Sequence, residues 1–248
     1  MGQSAQNLET IEVIKKKHGK RFSQAVALVR EKAPEPKTFE EVIEIILSTP
    51  AVKFDESLEA AFRLGVDPKQ SDQMVRAAIV LPHGLGRAAK VVVFAKGAKE
   101  DEAKAAGADE VGGEELAQKI LGGWTDFSSC VATPDMMPIV SKVARVLGPK
   151  GLMPNPKLGT VTMDLTKVIS ELKKGRVEYR VDKAGVVHAP FGKRSFGKDK
   201  LAENFKALAE SIVRAKPSGA KGNYLLSIFV SSAMGPSLPV SITQVGSL

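Results

Sequence analysis

The sequence predicts a discontinuous α+β domain, an antiparallel-rich sheet backed by helices, with an α/β domain inserted into it. Three observations carry this. Segments toward both ends of the chain alternate apolar and polar residues with the period of half-buried strands, yet neither end holds enough strands for a sheet of its own. Between them, short apolar runs alternate with helical patterns, as in a parallel sheet joined by crossover helices. Charge divides the same way: residues 171–221 hold 13 Lys or Arg against 6 Asp or Glu, nearly the whole net charge of +8.

The elements follow in order. Leu8, Ile11 and Ile14 dot a polar lead-in at roughly helical spacing. Phe22, Val26 and Val29 then repeat as one face of a helix that Pro34 and Pro36 break. Thr38 is placed to cap a second helix over residues 39–47. Leu58, Ala60, Phe62 and Leu64 share one face of a strand, and residues 74–81 read as another. The inserted part opens with the buried run Val91-Val92-Val93-Phe94-Ala95. Helices are expected near residues 100–106, 114–121, 138–147 and 165–174, with short strands at Glu110-Val111 and Cys130-Val131-Ala132. Residues 176–189 read as a hairpin turning at Asp182-Lys183-Ala184-Gly185. An amphipathic helix with Leu201, Phe205, Leu208 and Ile212 on one face follows, and then a last strand over residues 224–230.

A chain of 248 residues with 43% hydrophobic composition can bury a real core, and a sequence pI of about 9.5 favours an anionic partner such as nucleic acid. The single cysteine, Cys130, excludes an internal disulfide or multi-cysteine zinc site and points to a reducing, cytoplasmic compartment. No window approaches about 18 consecutive apolar residues and the N-terminus lacks the apolar core of a signal peptide, so neither membrane spanning nor secretion is expected.

Candidate chemistry is sparse. Gly84-Leu85-Gly86-Arg87-Ala88-Ala89 matches the dinucleotide-binding fingerprint, but that motif must open a helix, and here the next element is a strand. A hinge around Pro82, Gly84 and Gly86, matched by Lys174 and Gly175 on the return, is the better account. His18, His83 and His188 have no acidic or cysteine partner at metal-ligand spacing, and no nucleophile pairs with His83. No catalytic residue, metal site or cofactor is expected. Adjacent residues such as Asp55 and Glu56 face opposite ways in a strand and cannot share acid–base work.

Four segments remain open between a structural and a binding role. The run Lys15-Lys16-Lys17-His18-Gly19-Lys20-Arg21 is either a solvated tail or a phosphate-binding arm. Phe54, beside Lys53 at a strand entrance, is either a core aromatic or a stacking platform for RNA. Ser231-Ser232-Ala233-Met234-Gly235-Pro236 is either a plain strand end or a turn whose glycine admits close approach of a ribose or base. Residues 147–157, Leu-Gly-Pro-Lys-Gly-Leu-Met-Pro-Asn-Pro-Lys, form one over-determined loop because prolines fix φ and glycines admit φ > 0.

That loop, extended back to Val146, closely resembles the signature of the ribosomal protein L-one family, the large-subunit proteins of the mobile stalk. Lys17-His18-Gly19-Lys20-Arg21, Lys53-Phe54-Asp55-Glu56, Leu81-Pro82-His83-Gly84-Leu85-Gly86, Gly107-Ala108-Asp109 with Val111-Gly112-Gly113, His188-Ala189-Pro190 and Met234-Gly235-Pro236 resemble bacterial members in the same order. The resemblance spans residues 15–236. It implies a domain of residues 1–83 plus 175–248 with a Rossmann-like three-layer domain of residues 84–174 inserted, and an N-terminal extension of residues 1–14 that most relatives lack.

The resemblance also implies a non-catalytic, ribosome-associated protein. It would bind large-subunit rRNA, contact exit-site tRNA and assist its release, and repress its own operon mRNA, without a membrane, small-molecule substrate or cofactor. Carried over by residue, Lys53, Phe54, Met234 and Gly235 are the expected RNA contacts, with Lys17, Lys20 and Arg21 on phosphates and Arg176, Arg180 and Lys183 as companions. Relatives usually have threonine where this chain has Ala233, so a hydroxyl bond of roughly 0.5–1.5 kcal/mol is lost unless Ser232 supplies it. Lys150, Asn155 and Lys157 are expected either to make secondary RNA contacts or to stabilise the inserted domain. Two rivals are an NAD-type oxidoreductase, which needs Gly84 and Gly86 to open a helix, and a translational repressor that no longer enters ribosomes.

Overall fold

The computed structural model describes residues 19–33, 35–70, 72–87, 89–220 and 222–243, with Lys157 described by its backbone alone. The first two helices are α1 (Lys20–Lys32) and α2 (Phe39–Ser48). Thr38 caps α2 as the sequence anticipates. Its hydroxyl accepts from the Glu41 N–H (3.4 Å), while the Glu41 carboxylate accepts from the Thr38 N–H (3.2 Å). This reciprocal box fixes the start of a helix that buries Phe39, Val42, Ile43, Ile45 and Ile46.

Strand β1 (Ser57–Leu64) alternates as read, with Leu58, Ala60, Phe62 and Leu64 buried. Its neighbours are β7 (Val186–Lys193) and β8 (Leu225–Ser232), both antiparallel, and β9 (Ser237–Val240) adds to the far side of β8. Helix α7 (Lys198–Arg214) lays Leu201, Phe205, Leu208 and Ile212 on this sheet, and the Phe205 ring stacks on Phe39 of α2. Strand β9 is absent from the sequence expectation because four residues flanked by Pro236 and containing Pro239 carry a turn composition. An edge strand tolerates proline, since one side of its ladder needs no donor.

The hairpin expected over residues 176–189 is only half right. Its turn forms, with the Asp182 carboxylate accepting from the Ala184 and Val186 amides at 2.8 and 2.9 Å. These amide bonds, above all that from Val186, hold the Asp182 carboxyl below the usual carboxylate range. Beyond the single bridge Val181–Val187 the strands part company. Strand β6 (Arg176–Arg180) pairs with β2 (Arg76–Val80) in a separate two-stranded sheet. One core serves both sheets, drawing on residues 39–81 and 177–240.

The middle of the chain forms a three-stranded parallel sheet in the order β4 (Glu110–Gly112), β3 (Val91–Phe94), β5 (Ser129–Ala132). All four residues of β3 are buried, as a central parallel strand requires. Val92 and Phe94 face α4 (Glu114–Leu121) and α5 (Met137–Leu147), while Val91 and Val93 face α3 (Ala98–Ala105) and α6 (Leu165–Lys173). Helices on both faces therefore make three layers with two cores, neither of which shares a buried residue with the antiparallel part. Cys130 belongs to one of them, and burial pushes its thiol up to about 12, the mark of an inert core residue.

Candidate nucleic-acid interface

The register of the antiparallel sheet gathers three strand ends at one place. Ser57 opens β1 opposite Lys193 at the end of β7, and Leu58 lies opposite Ser232 at the end of β8. The chain crosses this end twice, through residues 49–56 and through the 233–236 turn. Two large apolar side chains project from it: Phe54 is 56% exposed and Met234 52%. Lys53 is exposed beside Phe54, and Lys20 is exposed on the first turn of α1. Arg21 joins the two crossings, its Nη2 donating to the Met234 carbonyl at 2.7 Å and its Nη1 to the Pro50 carbonyl at 3.4 Å. Phe54, left open by pattern alone, is thus a surface residue. Lys17, and the extension of residues 1–14, lie outside the described residues.

Beneath this surface sits a carboxylate that the sequence brought up only as a rejected acid–base partner of Asp55 and as part of a motif, not as a buried anchor. Glu56 is 1% exposed. Its Oε2 accepts from Arg194 Nη1 at 3.0 Å, and its Oε1 accepts from the Met234 N–H at 3.1 Å and the Ser232 hydroxyl at 3.3 Å. Arg194 Nη2 also donates to the carbonyls of Leu47 and Thr49 at 2.8 and 2.6 Å. One buried pair therefore ties the end of α2, the entrance of β1, the exit of β7 and the 233–236 turn. A signal existed: Glu56 is in phase with the buried set Leu58, Ala60, Phe62 and Leu64. Arg194 has no comparable local signal, because its partner lies 138 positions away.

Several expected contacts stand elsewhere. Ser232 is buried with its hydroxyl turned onto Glu56, so it cannot replace the missing threonine hydroxyl at Ala233 on the surface. Arg176 does not present a free cation: it pairs with Glu171 at 3.0 Å, donates to the Leu158 carbonyl, and leaves only 11% of its side chain exposed. Arg180 and Lys183 are exposed but stand elsewhere: Arg180 pairs with Arg76 in the separate two-stranded sheet, and Lys183 lies in the turn at the opposite end of β7, where Arg63 meets Val186. Six residues of strand at about 3.3 Å each place that end roughly 20 Å from Ser57.

The loop at 147–157 folds onto its own core. The Leu152 N–H donates to the Leu147 carbonyl at 3.0 Å, Leu152 and Met153 pack against the α4–α5 side, and Pro154 is buried. The Asn155 N–H donates to the Thr160 hydroxyl at 2.7 Å. Lys150 is exposed, its ammonium donating to the Thr125 hydroxyl.

The expected crossings touch. Gly84 (φ 63°) and Gly175 (φ 95°) lie back to back, and a Cβ on Gly175 would stand 2.5 Å from the Gly84 Cα. Pro82 is exposed, and Lys174 caps the end of α6 immediately before Gly175. Asn204, fully buried on α7, accepts from the His83 N–H at 3.0 Å and donates to the Gly84 carbonyl at 3.0 Å, a clamp with no sequence motif. The segment after Gly86 (φ 65°) runs into β3, not a helix, so the dinucleotide fingerprint fails its structural condition. Among the described residues no three His, Cys, Asp or Glu side chains cluster as a metal site, and no helix is long and apolar enough to cross a membrane.

An exposed aromatic and thioether beside cations, on a mixed helix-and-sheet frame, have the chemistry to meet a polyanion with stackable bases. Comparison with known proteins gives that class a family. Residues 44–236 match the model of the "Ribosomal protein L1p/L10e family". The chain is also 58% identical over 224 residues to the "Large ribosomal subunit protein uL1" of Bdellovibrio bacteriovorus, covering 90% of this chain and 94% of that protein. The chain belongs to the Ribosomal protein L1p/L10e family.

Proposed function

We propose that this protein is a non-catalytic RNA-binding component of the large ribosomal subunit. It binds large-subunit rRNA through the end of the antiparallel sheet that carries Phe54 and Met234. The observation that supports this most directly is that three distant parts of the chain converge at one end of the sheet: Arg21 bonds the Met234 carbonyl, the Met234 N–H bonds Glu56, and Phe54, two positions before Glu56, is exposed like Met234. Phe54 supplies a face for base stacking and Met234 an adaptable apolar contact. Lys20, Arg21 and Lys53 supply phosphate contacts, which make affinity salt-dependent.

The reading extends to architecture and partners. Residues 1–83 with 175–248 form the RNA-binding domain and residues 84–174 an inserted Rossmann-like domain that swings about the Gly84–Gly175 contact. Supporting this division are the separate cores and the crossing through paired glycines. The inserted domain contacts tRNA leaving the exit site and assists its release. The same recognition surface serves the protein's own operon mRNA as a repressor, because one surface accepts any RNA of matching shape.

The test is binding of the full chain to a large-subunit rRNA transcript. Phe54→Ala with Met234→Ala is expected to weaken it at least severalfold, roughly 1–3 kcal/mol for a lost stacking contact. Undiminished binding would remove the site. Sedimentation with large subunits separates a ribosomal component from a free repressor.

A further inference from the structure

We infer that Glu56, Arg194 and Ser232 are positioning residues of the RNA surface, and that residue 235 is glycine because of them. This inference rests on the proposed binding site and names what holds it. Glu56 accepts the Met234 N–H directly, at 3.1 Å, so the backbone that aims the Met234 side chain hangs on a carboxylate that is 1% exposed. The same carboxylate takes the Ser232 hydroxyl and Arg194, and Arg194 in turn holds the Leu47 and Thr49 carbonyls at the start of the segment that carries Lys53 and Phe54. Next to Glu56, the Asp55 carboxylate accepts from the Ser195 N–H (3.1 Å) and hydroxyl (2.8 Å), so both flanks of Phe54 are tied to the exit of β7. Through Glu56 and Arg194, then, the two projecting side chains share one buried anchor.

Gly235 completes the set. Its φ is not in the left-handed region, so backbone conformation does not demand glycine here. Space does. A Cβ at 235 would fall inside van der Waals contact of the Ser232 Oγ, the hydroxyl that Glu56 holds in place. A glycine that a sequence reader assigns to close approach by RNA is occupied instead by the protein's own hydroxyl. Arg194 differs from Arg21 in the same sense. Only 16% of its side chain is exposed and its Nη atoms are spent on Glu56 and two carbonyls, so it contributes order to the surface and no phosphate contact.

The experiment measures affinity of the full-length protein for a large-subunit rRNA transcript, between roughly 50 and 200 mM salt. Gly235→Ala is expected to weaken binding roughly tenfold, because the new methyl displaces a hydroxyl bonded to a charged group. Ser232→Ala alone is expected to cost less. The double variant Gly235→Ala/Ser232→Ala is expected to bind like Ser232→Ala, since the obstructed atom is gone. Loss in the double variant equal to the product of the two singles would instead assign Gly235 to RNA contact and overturn the inference.

A second arm removes both buried charges, Glu56→Gln/Arg194→Met, which leaves no unpaired ion and keeps the protein folded by circular dichroism. Its affinity is expected to fall severalfold with the salt slope unchanged, whereas Arg21→Ala lowers the slope by about one. A slope lowered by one in the Glu56→Gln/Arg194→Met protein would make Arg194 a phosphate ligand and sink the positioning role. Failure of the underlying site reads differently: Phe54→Ala/Met234→Ala would then bind like the wild type, and the inference would fall with it.

Discussion

The 233–236 turn and the 147–157 loop are both short, rich in glycine and proline, and prominent in the sequence, yet they are built in opposite senses. The loop sends its apolar side chains inward: Leu152 and Met153 pack on the α4–α5 core and Pro154 is buried. The turn sends its apolar side chain outward, with Met234 52% exposed, and is held from below by a buried carboxylate. Density of glycine and proline measures how tightly a backbone is specified. Which way the side chains face depends on what lies beneath, and that is set by residues far away in sequence.

The largest expected effect concerns the frame of the turn. Arg194→Met leaves the buried Glu56 carboxylate without its cation and is expected to lower stability by about 3–5 kcal/mol in urea titration. A cost below about 1 kcal/mol would mean that the turn is not anchored as its geometry indicates. Next is the frame of the loop. Leu147→Ala, at a fully buried position, is expected to cost about 2–5 kcal/mol. Trp124, the only tryptophan in the chain, packs on the same core, so its fluorescence follows that loss. The variant's affinity for rRNA, measured where it remains folded, is expected to match the wild type, and a parallel loss of binding would erase the contrast between turn and loop.

Smaller effects separate the two surfaces. Met234→Ala alone is expected to reduce rRNA affinity severalfold while changing stability by less than about 0.5 kcal/mol, because the side chain is exposed. Smallest is Lys150→Ala, whose ammonium donates to the Thr125 hydroxyl. It is expected to leave the salt slope of rRNA binding unchanged, against a drop of about one for Arg21→Ala. Equal slopes for the two variants would turn the loop into a second phosphate contact and collapse the comparison.

Most of the fold was legible because its signals are local. The Thr38 capping box, the alternation of β1 and the fully apolar β3 each fix an element from residues within a few positions. What stayed hidden depends on distance or on edges. Strand β9 is four residues long with an edge proline, and the pairing of β6 with β2 joins positions 76 and 180. At the proposed RNA surface, Phe54 and Met234 were singled out as motif residues, and both are exposed. Arg180 and Lys183 were expected as their companions through the family resemblance, although Arg180 pairs with Arg76 in the separate two-stranded sheet and Lys183 lies in the turn at the opposite end of β7. Glu56 was readable from its phase in the strand. Arg194 and Asn204 were not: Arg194 acts through Leu47, Thr49 and Glu56, all more than 100 positions away, and Asn204 joins Phe191, 13 positions away, to His83 and Gly84, 120 or more positions away.

The strand order also has a bearing on the order in which the protein can be made. Both neighbours of β1 are C-terminal strands, and among the described residues β2 pairs with β6 alone. A chain synthesised from its N-terminus therefore exposes two strands with no ladder to join until residues beyond 176 have emerged. The parallel sheet of residues 91–132 has all its strands in hand much earlier. Its helices and strands are close in sequence, so it closes short loops first, and the antiparallel sheet waits on long ones. During that wait the apolar faces of α2 and β1 stand open to aggregation. For this topology the hazardous stage of biogenesis is the interval between the two halves of one sheet.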